Sequence, residues 1–504
     1  MTTETLPGPG ATLPRVRRGG CIVAVLCALL AAAANAHAAS ACGHFGRPAV
    51  ASDARPHALR VFAIQFRQAP ASMTSADSFK RAIDCAIRTE VAPHLARGRP
   101  NLVVFDEDIG LETLAAGSRG AKARALLREG VPSCRGQASP CATLATLSAI
   151  DQGYGRALTY LSDTFPKLNE QLGRAFVAAT DQFVRTFMTT MAVEALRYHV
   201  YVVASNTQAP FALTRNPAAV AALRDPADKH VHAVYAPTRG LAYDQTFIWG
   251  PRIVHHHAAP PLANLLRVNR KVPLTGFELA LGFAQGPAGG QAAAANLRPV
   301  AIPGTGARLG FATSLPAFEY GSPARGHECS DVSVTYMRCL DKLGANVLIQ
   351  ADANDGPWSG TDGMELWQPL SWMGSAYRAV TDPSVRFAYA VNPFMVGNLA
   401  DTPFDGQTAI LERGRRGAGC HYVGNGALVA GDDLPQFASY AGSKSQFLAV
   451  APWAAPDGPR SALRSVGASL AAGTGPRRYV QTAVIADLPF PLDRNRPGCL
   501  VAGR

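Results

Sequence analysis

The chain has 504 residues, of which 48% are apolar and 17% are charged, and its formal net charge is +12. Because apolar residues are numerous and spread along the whole chain, intrinsic disorder, a fibrous protein and a polytopic membrane protein are excluded. The positive charge comes mainly from scattered arginines without a long basic run, so nucleic acid is not expected as a partner.

The first 38 residues have the pattern of a secretory signal or an N-terminal anchor. Arg15, Arg17 and Arg18 precede an apolar stretch over 21–34, and small residues follow to position 38. A positive start, a short apolar stretch and an A-x-A site are typical of a cleaved signal peptide, and the stretch is shorter than the roughly 20 apolar residues of a membrane span. We therefore expect export to the periplasm or the medium, with a membrane anchor as the alternative. Residues 39–57 are predicted to be a linker.

The cysteine content fits an exported protein. Of ten cysteines, Cys21 and Cys27 lie in the signal, which leaves eight. An even number in an oxidising compartment permits a set of disulfides. Cys134 and Cys141 flank a short loop and are predicted to pair. If all eight cysteines pair, the folded protein has no free thiol.

Strands and helices alternate from residue 58 onward. The segments over 58–66 and 101–105 predict buried strands, and Ser75 is expected to cap a helix between them. Residues 115–197 are predicted to be an insertion that is Gly-, Ser- and Arg-rich at first and then carries a long helix with an apolar stripe over 168–191. Further elements are predicted as strands over 198–204, 243–249, 253–255, 308–314, 346–351, 385–391 and 479–486, a helix over 331–343 capped by Ser330, and a loop over 283–306. This alternation is typical of an α/β domain, here over 58–490.

Three places put a reactive side chain at or beyond the end of a predicted strand, where an open α/β sheet presents its site. Glu107 follows an apolar strand, where burial favours a proton-carrying carboxyl, although a helix cap is the structural alternative. Lys271 is one of only seven lysines, and Glu278 lies close enough in sequence to pair with it, although a solvated lysine is equally consistent. The third place contains Ser314 and Cys329, and Cys329 precedes a helix start that favours a thiolate, unless it forms a disulfide.

Other candidate sites are weaker. His255, His256 and His257 are adjacent, so their side chains diverge, and a Gly/Pro-flanked loop is favoured over a metal site. The chain has no P-loop, no dinucleotide-binding glycine motif after a strand and no G-x-S-x-G elbow. No cofactor is therefore expected.

Several segments in order resemble the carbon–nitrogen hydrolase (nitrilase) superfamily, whose members use a Glu, Lys, Cys triad. NLVVFDE over 101–107 resembles the strand that ends in F-P-E, with Asp106 in place of Pro, and YVVAS over 201–205 resembles the strand that follows. RKVPLTGFE over 270–278 is similar to R-K-x-x-L-x-x-x-E, and FDGQT over 404–408 resembles the late F-x-G-x-S turn. The resemblance covers about 58–488 and implies a four-layer α-β-β-α sandwich.

The resemblance also implies roles for individual residues. Glu107 would take the proton of the nucleophile, Lys271 would stabilise the tetrahedral oxyanion, and Glu278 would be the second glutamate near the lysine. The nucleophile is open between two registers. Counting along the strand G-x-x-x-C places Ser314 at its end, whereas Cys329 matches when the count runs backward from Gly344, and a thiol suits this lysine and glutamate better.

The sequence therefore predicts an exported hydrolase or acyltransferase that acts on non-peptide C–N bonds through an acyl-enzyme. A small-molecule amide is favoured over a nitrile as the substrate. The alternative is a catalytically silent binding protein of the same fold with Ser314 at the nucleophile position. The sequence also leaves room for an oligomer and for an N-terminal membrane anchor.

Overall fold

A computed structural model describes residues 42, 44–69, 72–135, 140–358, 360, 368–414, 446–451, 465, 479–492 and 500–501. The predicted signal over 1–38 lies outside these residues, as do Cys420 and Cys499. From His44 onward the chain belongs to one compact unit. Within the described part, none of the helices has the length and apolar character needed to cross a membrane.

The strands are numbered in chain order. They are β1 (Ala49–Ala51), β2 (Leu59–Gln65), β3 (Asn101–Val104), β4 (Tyr201–Gln208), β5 (Phe211–Thr214), β6 (Val234–Pro237), β7 (Tyr243–Trp249), β8 (Leu265–Arg270), β9 (Val300–Ala301), β10 (Arg308–Phe311), β11 (Val347–Ile349), β12 (Tyr389–Asn392), β13 (Gly397–Leu399), β14 (Thr402–Phe404), β15 (Ala409–Glu412), β16 (Gln446–Val450), β17 (Thr482–Leu488) and β18 (Leu500–Val501).

The α-helices are numbered in the same way. They are α1 (Ala76–Ala86), α2 (Ala121–Glu129), α3 (Cys141–Gly153), α4 (Gly155–Thr164), α5 (Arg174–Ala178), α6 (Thr180–Phe183), α7 (Thr189–Arg197), α8 (Pro217–Leu223), α9 (Pro260–Ala263), α10 (Gly276–Leu281), α11 (Gly290–Asn296), α12 (Val332–Lys342) and α13 (Gln368–Thr381). Ser75 caps α1 as predicted, because its hydroxyl accepts from Ser78 N while the Ser78 hydroxyl accepts from Ser75 N.

Two seven-stranded sheets form the centre of the molecule. Their strand orders are β1-β17-β2-β3-β4-β7-β8 and β18-β16-β15-β12-β11-β10-β9. In each sheet three neighbouring strands run parallel, namely β2, β3 and β4 in the first and β10, β11 and β12 in the second. Parallel strands place their carboxyl ends at one edge, where the loops that follow them can bring polar side chains together.

Alternating side chains of each sheet divide between an inner and an outer core. On β2, Val61 faces a core that lies between the two sheets and includes Phe311 of β10. The next residue, Phe62, packs on the outer side with Phe79 of α1 and Met191 of α7. This period of two is what a sheet buried on both faces requires.

The second sheet is covered on its outer face in the same way. Leu348 of β11 packs there with Tyr336 of α12 and Met373 of α13. The order from one side to the other is therefore helices, sheet, sheet, helices. The predicted four-layer α-β-β-α sandwich is confirmed.

The predicted insertion over 115–197 supplies most of a further apolar core, shared with α8 and formed from α2 through α6. Cys134 and Cys141 form the predicted disulfide, which reaches the first residue of α3. The first part of the insertion, for which no helix was predicted, contains α2 and α3. The predicted long helix is interrupted, with a π-helical turn over Val184–Met188 between α6 and α7. Its apolar stripe is correct for Phe183, Phe187 and Met191, which are fully buried, and wrong for Leu172, which is 73% exposed.

The structure differs from the sequence predictions at four other places. The predicted linker over 39–57 contains β1, which pairs in parallel with β17. Residues 253–255 form no strand, and the partner of β7 is β8 instead. The predicted loop over 283–306 contains α11. The cap of α12 is Asp331, whose carboxylate accepts from Ser333 N, rather than Ser330.

Candidate active site

Glu107 and Lys271 form the centre of a buried cluster at the ends of β3 and β8. Lys271 Nζ donates to Glu107 Oε1 at 2.7 Å, and the two side chains are 2% and 6% exposed. Lys271 N donates to Asp244 O at 3.0 Å, so the pairing of β8 with β7 continues through the lysine and fixes its position. A buried ion pair of this kind is tolerated only when hydrogen bonds complete it.

Glu278 reaches the same lysine from α10. Lys271 Nζ donates to Glu278 Oε1 at 3.0 Å. The other oxygen, Oε2, accepts from Thr275 N at 2.7 Å and from Thr275 Oγ1 at 2.8 Å, in the capping box that starts the helix. Because the capping box holds the Glu278 carboxylate in place, Glu278 fixes the position of the Lys271 ammonium.

Burial and neighbouring charges set the protonation of the pair. Burial raises the pKa of Glu107 to about 8, although Lys271 acts in the opposite direction, and Glu278 and Asp108 raise the pKa further. Burial alone would lower the pKa of Lys271, but the Glu107, Glu278 and Asp244 carboxyls outweigh burial and raise it well above its ordinary value. The lysine therefore stays charged while the glutamate is a strong proton acceptor.

Ser314 lies just beyond the end of β10 and is 2% exposed. Its backbone has φ +59° and ψ −121°, which is a strained conformation for a residue other than glycine. Such strain costs about 1–3 kcal/mol and clusters at active sites. Ser314 N donates to Ala351 O at 3.0 Å, which holds the turn against the residues that follow β11.

The segment Ala351–Ala353 connects Ser314 to the Glu107 cluster. Ala351 O accepts from Ser314 N, and two residues later Ala353 N donates to Glu107 Oε2 at 2.9 Å. A second connection joins the sheets, because the hydroxyls of Thr313 and Thr246 are 2.6 Å apart. Both sheets therefore present their strand ends to one buried site.

The interpretation of Cys329 as the nucleophile is wrong for this structure. Cys329 forms a disulfide with Cys339 of α12, and a sulfur in a disulfide has no thiolate to offer. Every cysteine that the structure describes is disulfide-bonded, so the cluster contains no described thiol. Of the two registers, only the one that ends at Ser314 keeps a nucleophilic side chain at a strand end.

The three adjacent histidines lie on the surface. His255, His256 and His257 are all exposed and follow β7 in a turn. Among the described residues, one group of carboxylates has spacing that could suit a metal, namely Glu107, Asp244 and Glu278. Lys271 Nζ lies within 3.4 Å of an oxygen from each of the three, so an ammonium already supplies the positive charge there.

Asp244 is a member of the cluster that sequence reasoning missed. It lies on β7, is 1% exposed, and its Oδ2 is 3.4 Å from Lys271 Nζ. The side chains of Tyr243 and Phe247 lie on the outer face of this strand, whereas those of Asp244 and Thr246 lie on the opposite face, toward the site. The sequence signal that could have identified Asp244 is an acidic residue on the inward-facing side of a buried strand.

No protein-family model matches the chain, and no curated protein matches its sequence. Solved structures with some likeness include a variant of the amidase from Nesterenkonia sp. AN1 with acrylamide added at its active-site cysteine, at 12% identity, 70% of this chain, 85% of that chain and a TM-score of 0.34. A cysteine-to-serine variant of that nitrilase-superfamily amidase has 13% identity, 71% and 86% coverage and a TM-score of 0.34. A carbon–nitrogen hydrolase from Helicobacter pylori G27 has 12% identity, 71% and 82% coverage and a TM-score of 0.36. Likeness at this level carries no argument about the chemistry of this chain.

Proposed function

We propose that the protein is a hydrolase or acyltransferase that acts on non-peptide C–N bonds, preferably amides, with Ser314 as its nucleophile. The observation that carries this proposal is the buried Glu107–Lys271 pair, which the segment Ala351–Ala353 connects by hydrogen bonds to the strained turn at Ser314. A buried base, a buried cation and a hydroxyl at a strained turn are the three groups that acyl transfer requires. The motif resemblance supports the same residues.

In the proposed reaction, Glu107 takes the hydroxyl proton of Ser314 while Ser314 Oγ attacks the carbonyl carbon of the amide. The Lys271 ammonium stabilises the oxyanion that forms. Glu107 returns the proton to the departing amine, and water or another amine then releases the acyl group. A serine needs a stronger base than a cysteine, and burial supplies one by raising the pKa of Glu107 to about 8.

The test is a comparison of wild-type protein with Ser314→Ala and Cys329→Ala on a panel of aliphatic and aromatic amides. We expect measurable wild-type turnover, loss of at least about 100-fold in Ser314→Ala, and little change in Cys329→Ala. Loss of turnover in Cys329→Ala with retention in Ser314→Ala would contradict the proposal.

The second candidate is a catalytically silent protein that binds the amide without cleaving it. One observation favours it: within the described residues Ser314 Oγ makes no hydrogen bond, while both Glu107 oxygens already accept from Lys271 and Ala353. Ser314→Cys distinguishes the two candidates. A silent protein would show no wild-type turnover and would gain turnover when the more easily ionised thiol replaces the hydroxyl.

We also propose export, as the N-terminal sequence indicates. The disulfides Cys134–Cys141 and Cys329–Cys339 support this, because disulfides persist in oxidising compartments. Mass spectrometry of the N terminus of protein from the native host is the test. A mature chain that begins near residue 39 is expected, and an intact N terminus in the cytosolic fraction would contradict export.

A further inference from the structure

The cluster around Lys271 contains more negative groups than its charge can balance. Oxygens of Glu107, Asp244 and Glu278 lie within 4.8 Å of one another, and among the described residues Lys271 is the one ammonium that contacts them. Three ionised carboxylates and one ammonium would leave two uncompensated negative charges in a buried site. Because such charge is costly in a dry interior, at least one of these carboxyls is protonated.

The hydrogen bonds show which carboxyl is the best place for the proton. Glu107 accepts from Lys271 Nζ and Ala353 N, and Glu278 accepts from Lys271 Nζ and from two donors of Thr275. Neither oxygen of Asp244 accepts a hydrogen bond within the described residues. An ionised carboxylate needs donors, whereas a protonated one becomes a donor itself.

The groups that face Asp244 agree with this assignment. Besides Lys271, Glu107 and Glu278, these include Asp108 at the end of β3 and Tyr336 of α12, neither of which supplies a positive charge. Burial raises the pKa of Asp244 well above its ordinary value, Lys271 opposes this, and the neighbouring Glu107 and Glu278 carboxyls raise the pKa further.

We infer that Asp244 is a positioning residue that stays protonated and donates a hydrogen bond to the Glu107 carboxylate when Glu107 ionises. The donated bond orients Glu107 and stabilises its anion, so that Glu107 can act as the base. Because a protonated Asp244 carries no negative charge, it does not compete for the Lys271 ammonium. The ammonium can then interact with the Glu107 and Glu278 carboxylates and with the oxyanion of the substrate. This role deepens the proposed function and rests on it, but the protonation itself can be measured without any turnover.

Infrared difference spectroscopy tests the protonation. At pH 7, wild-type protein minus Asp244→Asn is expected to show the carbonyl stretch of one protonated carboxyl. Glu112→Gln is the matched control, because burial raises the pKa of Glu112 to about 8 and its replacement should remove a similar band. The inference would be overturned if the wild-type minus Asp244→Asn spectrum lacked that band while the wild-type minus Glu112→Gln spectrum showed one.

The pH at which Glu107 ionises tests the positioning role. For wild type, Asp244→Ala and Asp244→Asn, the infrared spectrum of the protein is compared with that of the same protein carrying Glu107→Gln. The difference gives the Glu107 carboxyl signal, which is followed as a function of pH. Asp244→Ala removes the donor, so Glu107 should ionise about one pH unit higher, which corresponds to about tenfold less of the basic form at lower pH. Asp244→Asn keeps an N–H donor and should stay within about half a unit of wild type.

The opposite direction would overturn the inference. If Asp244 were ionised, its removal would relieve repulsion and Glu107 would ionise at lower pH in both variants. An unmoved ionisation would show that Asp244 has no positioning role. Absence of amide turnover in wild-type protein, with both infrared results as expected, would overturn the proposed function and leave the role of Asp244 in orienting Glu107 standing.

Discussion

The Glu107 carboxyl must be ionised to accept a proton, so its ionisation should control the rate. Burial raises its pKa to about 8. For a base that must be deprotonated, kcat/KM should therefore rise with pH and level off above about pH 8. The measurement is the pH dependence of amide hydrolysis by wild-type protein, with Glu107→Gln expected to lose at least about 100-fold. A flat profile between pH 6 and 9 would contradict the assignment.

Removal of the Lys271 ammonium should destabilise the fold. Lys271→Met leaves the buried carboxyls Glu107, Asp244 and Glu278 without their shared cation, and breaking a buried ion pair from one side costs about 3–5 kcal/mol. The loss should be larger at pH 8.5 than at pH 5, because protonation at low pH neutralises the unpaired carboxyls. Urea unfolding at both pH values measures it. The exposed Lys122→Met is the control and should change stability by less than about 0.5 kcal/mol.

At the scale of elements, the turn that carries Ser314 is tied to the opposite sheet by one buried hydrogen bond. Thr313 and Thr246 join their hydroxyls at 2.6 Å across the sandwich. Replacing either residue by valine leaves the other hydroxyl without this partner and should cost about 1–3 kcal/mol. The double variant should cost less than the sum of the two, which chemical denaturation in a double-mutant cycle will show. Additive costs would mean that the contact contributes no coupling.

The Cys329–Cys339 disulfide is expected to support stability and not chemistry. It spans ten positions at the start of α12. Removing a crosslink of this loop length should lower the free energy of unfolding by about 2–3 kcal/mol in the chain-entropy picture. Cys329→Ala and Cys339→Ala should destabilise the protein to a similar extent while amide hydrolysis is retained. A loss of turnover confined to Cys329→Ala would contradict the disulfide role.

The sequence predicts elements well where one physical signal dominates. The alternation of β2 and the cap at Ser75 both appear as expected, because burial on two faces and a free N–H at a helix start leave little choice. The breaks near Val184 in the predicted long helix could not be predicted, since a π-helical turn keeps the same residues on the buried face.

In the candidate site too, some residues could be identified from the sequence and others could not. The motifs single out Lys271 and Glu107, and the structure joins these two side chains at 2.7 Å. They leave Ser314 and Cys329 open, because the disulfide that removes Cys329 depends on how α12 packs and not on local sequence. In the sequence, Asp244 lies next to no motif residue. Its position beside Lys271 in the structure follows only from the register of β7 with β8.

The whole molecule buries several carboxyls whose pKa values are raised, and this sets how stability depends on pH. Burial raises the pKa of Glu90 and Asp352 to about 7 and that of Glu107, Asp108 and Glu112 to about 8. An acid with a raised folded-state pKa stabilises the fold below its unfolded pKa, and the contribution is lost as pH rises through the folded value.

The free energy of unfolding should therefore fall as pH rises from about 4.5 to about 8. Thermal unfolding across this range is the measurement. Glu112→Gln should make the fall shallower, because the amide cannot ionise and its partners at Ala69 and Ser72 can rearrange to hydrogen-bond with it. A stability that increases steadily toward pH 8 would contradict this account.

In the proposed reaction Ser314 forms the acyl bond, with Glu107 as the base and Lys271 as the group that stabilises the oxyanion. The most direct measurement is intact-protein and peptide mass spectrometry after rapid quenching of the wild-type protein with an activated acyl substrate, such as a p-nitrophenyl ester. We expect one acyl group on the peptide that contains Ser314, no adduct in Ser314→Ala, and a full adduct in Cys329→Ala. An acyl group on any cysteine, or turnover in Ser314→Ala equal to that of the wild type, would contradict it.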